Sequence, residues 1–164
     1  MLKLRGVALL VLGGLCAGPM APALAAEEAV TADLSLERLQ ATDALVMLRS
    51  LTGSRGLQVV DEHTLKVTDS AATVELVKAV LDVAEHPSDS SDAAPTRELA
   101  DGSVVVCVHL QHASVKDVAM ALRKEMGVKR LAMEMELSTV MVRDTPERVD
   151  SALAVIRRLD APQQ

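Results

Sequence analysis

An internal repeat constrains the folding of this chain more than any other feature. Leu48-Arg49 and Gly53 recur as Leu122-Arg123 and Gly127, 74 positions later, and Leu57 and Val59 recur as Leu131 and Met133. One residue is gained in a turn. From there Thr64, Val67, Asp69, Val74, Val80 and Pro87 match Thr139, Val142, Asp144, Val149, Val155 and Pro162 at an offset of 75. Matches held at nearly constant offset, across turn, strand and helix positions alike, describe one supersecondary unit used twice. A unit of this kind buries its apolar face against a neighbour.

Each copy reads as strand, helix, strand, strand, helix. In the second, residues 104–110 form a β-branched run of strand type. Ser114 then caps a helix, with Asp117 three residues on in a capping-box pattern. Val115, Val118, Ala119, Leu122 and Met126 mark its inner face, and Gly127 ends it. Residues 131–135 and 139–143 alternate as two half-buried strands of a hairpin. Thr145-Pro146-Glu147 starts a closing helix, with a cap, a proline at its first position and an acid in its first turn. The first copy has a strand within residues 30–39, a helix over 43–52, strands at 57–60 and 65–68, and a helix over 71–85 capped by Ser70. The expected class is α+β: two small βαββα (KH-like) modules in tandem, each a three-stranded sheet with two helices on one face. They occupy residues 30–86 and 98–162. Between them, residues 87–97 hold Pro, Ser and Asp at low hydrophobicity, as a flexible linker does.

Composition narrows the function. The chain contains no Phe, Tyr or Trp, so it lacks the aromatic platforms common in sugar, peptide and single-strand nucleic-acid sites. Lys3 and Arg5, an apolar run from Val7 to Leu15 and Ala23-Leu24-Ala25 describe a secretory signal peptide over residues 1–25, cleaved after Ala25. The expected location is the periplasm. Cys16 follows Leu15, a poor context for lipidation, and the apolar run is too short and interrupted to span a membrane. Without those 25 residues, 15 Lys and Arg face 23 Asp and Glu. That acidic balance argues against nucleic acid and anionic lipid as partners. Of the cysteines only Cys107 then remains, in an apolar run that favours burial.

The run from Leu110 to Pro162 resembles the N-terminal, NolW-like module of bacterial outer-membrane secretins. The likeness rests on Val142-Arg143-Asp144-Thr145-Pro146-Glu147-Arg148-Val149 and on the helix ending Leu159-Asp160-Ala161-Pro162. Residues 36–87 resemble a weaker copy, with Val67-Thr68-Asp69-Ser70-Ala71 in place of the phrase and no Leu-Asp ending. In secretins such modules stack as periplasmic rings, form subunit contacts and dock partner proteins. The resemblance therefore implies the fold and a protein-binding role, without the channel-forming domain. Two rival readings are a degenerate secretin-like fragment and a periplasmic small-ligand binder.

The residues give little reason to expect catalysis, a metal or a cofactor. His109 and His112, three apart at a strand end, fall on opposite faces, a poor arrangement for one metal ion. Asp61-Glu62-His63 reads as a solvated hairpin turn. Gly53-Ser54-Arg55-Gly56 matches the G-x-x-G of KH loops but joins a helix to a strand, which favours a helix C-cap. One feature points to association. If Val106, Val108 and Leu110 face the helices, then Val105 and Cys107, with Ala132 and Met141, form an apolar outer sheet face. Its expected occupant is the first module, another copy, a protein of the cell envelope (a secretin or pilus component) or a covering segment of this chain.

Overall fold

A computed structural model describes residues 29–88, 94 and 96–162. The expected signal peptide over residues 1–25, with Cys16, and most of the expected linker lie outside the described residues. The class is α+β, with four helices and two antiparallel sheets among the described residues.

The first sheet has the order β1-β3-β2, from Ala29–Ser35, Thr64–Ser70 and Leu57–Asp61. Register places Ala32 opposite Val67 and Leu34 opposite Leu65, so these residues share a face, as strand alternation requires. That face meets α1 (Ala41–Thr52) and α2 (Ala71–Glu85). The opposite face is polar: Thr31 and Thr68 share a hydroxyl hydrogen bond at 3.0 Å, and Lys66 sits 3.9 Å from Asp33. The first strand ends at Ser35, short of the expected span. Leu36 and Leu39 beyond it are nevertheless buried.

The second sheet contains β5 (Val104–His109), β7 (Thr139–Asp144) and β6 (Leu131–Glu134), carried on α3 (Val115–Met126) and α4 (Pro146–Asp160). It gains a fourth, two-residue strand, β4 (Arg97–Glu98), paired with Val104 and Val105. The order is β4-β5-β7-β6. Further along β5, Ser88 donates to the Cys107 carbonyl at 3.1 Å and accepts from the His109 N–H at 2.9 Å. Two ends of the stretch expected to be a linker thus lie along β5.

The capping expectations need one correction. Ser114 is the N-cap of α3, but its hydroxyl makes no cap hydrogen bond, and neither does that of Thr145 before α4. Ser70 does cap α2, accepting from the Thr73 N–H at 3.3 Å. The loop ahead of α3 is held instead by Asp160, at the far end of α4. Its carboxylate accepts the backbone N–H groups of Gln111 (3.0 Å), His112 (2.7 Å) and Ala113 (2.8 Å). One carboxylate satisfies three donors of the loop that precedes Ser114.

The backbone hydrogen bonds recur at the offsets of the sequence matches. Gly53 donates to Arg49 and Gly127 to Arg123, each at 3.0 Å with the glycine left-handed. Thr68 donates to the Gly56 carbonyl and Arg143 to that of Arg130, at 2.9 and 3.0 Å. Leu36 donates to His63 and Leu110 to Ser138, both at 2.8 Å. Asp69 and Asp144 each accept the next residue's N–H at 2.9 Å.

The halves stack as four layers: sheet, helices, sheet, helices. The helices α1 and α2 lie between the sheets, with α1 against β2 and β6, and α2 against β1 and β5. Consecutive residues of α1 fasten the two edge strands. Arg49 donates to the Leu57 carbonyl of β2 at 3.0 Å, and Ser50 to the Leu131 carbonyl of β6 at 2.9 Å.

Candidate functional site

Val105, Cys107, Ala132 and Met141 stand together on one face of the second sheet, with Cys107 directly opposite Met141 and Ala132 opposite Met141 on the other side. All four are buried, and they belong to the core cluster of the first half. The cover is the chain's own α1 and α2, so none of the four is open to an outside partner. This corrects any use of them as an external docking surface: the free energy of their burial is already spent inside the molecule, at roughly 1.5–3 kcal/mol for a large side chain. The face is a seam between the halves.

Cys107 sits in that seam. Burial pushes its thiol up to about 12, and the Arg38 guanidinium opposes this only in part. Since the thiolate is the reactive form, the folded protein holds Cys107 inert.

The seam contains one charged residue that the sequence reading passed over. Arg143 follows Met141 by two on β7, so alternation directs it to the same face, and its side chain is only 2% exposed. Its Nε donates to the Ser103 hydroxyl at 2.8 Å, and one terminal nitrogen to the Leu51 carbonyl at 2.7 Å. The other pairs with the Asp101 carboxylate. Leu51 lies in the last turn of α1, where the helix dipole favours a cation. Arg143 therefore joins the second sheet to the C-terminal end of a first-half helix. Burial draws its pKa down and Asp101 opposes that shift; a guanidinium remains charged throughout. The available signal was a cation in an otherwise apolar alternation, Met141 then Arg143.

Beside this cluster lies an open groove of about 310 Å³, lined by Asp101, Arg130, Arg143 and Asp144 among others. Arg143 is already committed to three acceptors of its own chain, which leaves it unsuited to holding an anion there.

The other singled-out residues are structural in their contacts. His109 Nδ1 lies 2.7 Å from the Leu137 carbonyl, while His112 contributes its backbone N–H to Asp160. In the hairpin turn His63 donates its N–H to Asp61 at 2.9 Å. Gly53 ends α1, and Gly56 permits close backbone approach: a Cβ there would stand 1.8 Å from the Thr68 carbonyl oxygen. Among the described residues, no group of three His, Cys, Asp or Glu side chains is placed to hold a metal ion. No described helix is long and apolar enough to cross a membrane.

No family model matches the chain, and no curated protein matches it. Solved structures similar to it include Aeromonas hydrophila ExeD, at 16% identity over 84% of this chain and 29% of that one, with a TM-score of 0.33. The N-terminal domain of the secretin XcpQ from Pseudomonas aeruginosa is similar at 13% identity, over 81% of this chain and 62% of that one, with a TM-score of 0.37. A third likeness is to the Salmonella SPI-1 type III secretion injectisome basal body proteins InvG, PrgH and PrgK, at 16% identity, 82% and 30% coverage and a TM-score of 0.33. The chain spans less than two thirds of each of these.

Proposed function

We propose that this chain is a non-catalytic protein-interaction module of the bacterial envelope, an accessory or adaptor to an outer-membrane secretin, secretion or pilus system. In this reading residues 1–25 direct export to the periplasm. Two secretin-N-like modules, 30–86 and 98–162, are joined by a linker over 87–97. The observation that carries it is the bond-for-bond recurrence between the halves, which includes Asp144 in the phrase Val142-Arg143-Asp144-Thr145-Pro146-Glu147 and Asp69 at its place in the first half. Recurrence at that phrase supports two copies of the module whose sequence it resembles. The seam gives such a protein a fixed shape: α1 and α2 serve both sheets, and Arg143 pins the C-terminal end of α1.

The test is in-cell crosslinking in a bacterium that has a secretin, followed by mass-spectrometric identification of the linked peptides. The expected result is a crosslink between an exposed residue of this chain and a secretin or pilus component in the outer-membrane fraction. Recovery from the periplasm with no link to any such component contradicts the proposal. Substitutions at Val105 or Met141 are unsuited as controls, because they would open the seam rather than disable a docking surface.

A further inference from the structure

Four of the seven exposed large hydrophobic residues among the described residues fall into pairs related by the repeat. Val46 on α1 and Met120 on α3 are 67% and 63% exposed, and they are equivalents at an offset of 74. Val59 on β2 and Met133 on β6 are 44% and 38% exposed, and they are equivalents at the same offset. Both strands are sheet edges, and α1 lies against both of them, while α3 lies against β6. These four residues therefore follow one side of the stack through successive layers: edge strand, helix, edge strand, helix. Layers about 10 Å apart make this an apolar stripe roughly 30 Å long. An apolar stripe of that length on an exposed flank marks a contact surface.

Charge borders it in two rows. On one side stand Asp43 and Asp117, three residues before Val46 and Met120, with Asp61 and Glu134 at the ends of the edge strands and the exposed Lys116 beside Asp117. On the other stand Arg49 and Arg123, three residues after Val46 and Met120, with Arg55 and Lys129 in the turns that lead into those strands. Asp43/Asp117, Arg49/Arg123 and Arg55/Lys129 are again equivalents at 74. The exposed side of α1 confirms the order, because its two buried sides leave Asp43, Val46 and Arg49 on a single open flank.

An apolar stripe with an acidic row along one border and a basic row along the other is self-complementary. Turning a second copy about a two-fold axis along the stripe brings each acidic row against a basic row and each apolar residue against the partner stripe. A two-fold axis across the stripe would set like charges together. We propose that this flank is the contact between two copies of this chain, an isologous dimer with the axis parallel to the stack. The proposal does not depend on the docking of a secretin.

The test is sedimentation of the purified protein, expressed from the full sequence. The wild type is expected to be a salt-sensitive dimer. Val46→Glu with Met120→Glu, and separately Arg55→Glu with Lys129→Glu, are expected to weaken it tenfold or more, with far-UV circular dichroism unchanged. Mixing the Arg55→Glu/Lys129→Glu chain with an Asp43→Lys/Asp117→Lys chain is expected to restore a dimer containing one of each. A wild type that stays monomeric at about 0.1 mM overturns the proposal. So does a dimer that persists in both variants, or the failure of the two charge-reversed chains to pair.

Discussion

Glu85 and Asp160 are the same device in the two halves. Each closes the second helix of its half, 75 positions apart, and each turns a carboxylate back onto the loop before the first helix. Glu85 accepts the N–H groups of Glu37 and Arg38, at 3.3 and 2.8 Å, and Asp160 those of Gln111, His112 and Ala113. Since 37 and 38 correspond to 111 and 112 at offset 74, donors and acceptor are duplicated together. Each clamp fastens one end of its half to the other.

Asp160→Asn tests the clamp. An amide oxygen accepts these bonds without the charge, so a loss of about 1–2 kcal/mol is expected by urea unfolding, since bonds to a charged group exceed neutral ones by roughly that much. The pH dependence has a defined sign. Burial works to raise the Asp160 pKa, but the N–H groups of Ala113, His112 and Gln111 outweigh it and hold it below the ordinary value. A depressed native pKa contributes stability above the unfolded value, about 3.9, and loses it as pH falls through the native one. The acid limb of the stability curve should therefore be shallower in Asp160→Asn, most clearly below about pH 4.

Arg143→Met should cost about 3 kcal/mol, because it removes the donor to the Leu51 carbonyl and leaves that group in the seam. Asp101, half-exposed, can return to water. Arg143→Lys should fall between, since one ammonium cannot reach three acceptors in a guanidinium's fork geometry. Denaturant midpoints of the three proteins give the ranking.

Gly56→Ala should be far worse than Gly53→Ala. At Gly53 a Cβ meets open space and the cost is that of the left-handed backbone, about 1 kcal/mol. At Gly56 it meets the Thr68 carbonyl, whose residue is hydrogen-bonded back to Gly56, so strands β2 and β3 must separate. A loss of about 3 kcal/mol is expected, read as a drop in melting temperature.

Cys107 should ignore a thiol reagent at pH 8 in the native protein and react at once in urea. With the thiol pushed up to about 12 and the side chain buried, labelling has to wait for the seam to open. Rapid native labelling would contradict the packing described for β5.

Much of this was legible in sequence, and the reasons are local. Helix α3 was marked by Val115, Val118, Ala119 and Leu122 at helical spacing, and all four are buried. Strand β5 is marked by a β-branched run and β7 by alternation, and the two-residue period of strands puts Val105, Cys107, Ala132 and Met141 on one apolar face. Alternation says that a face is apolar and is silent on what covers it. The cover comes from residues 41–85, and only the folded chain brings these into contact. Arg143 escaped because a lone cation is ordinarily solvated; its partners Leu51, Asp101 and Ser103 lie 92, 42 and 40 positions away. Asp160 was noticed only as part of a helix ending, while the donors it serves stand 47 to 49 positions earlier. Capping patterns were read too locally for the same reason. Ser114 stands where a capping-box serine would, yet its hydroxyl makes no cap hydrogen bond, and the loop before it is held by Asp160.

The central structural claim is that the two halves are one unit, joined by the seam under α1 and α2. The most direct measurement follows methionine methyl signals by NMR through a urea titration, since no aromatic residue offers a fluorescence probe. Met47 reports on the first half, Met126 on the second and Met141 on the seam. The account predicts one transition with a shared midpoint, and a large common shift to lower urea in Met141→Asp, which buries a charge in the seam. Separate midpoints for Met47 and Met126, or a Met141→Asp protein as stable as the wild type, would contradict it.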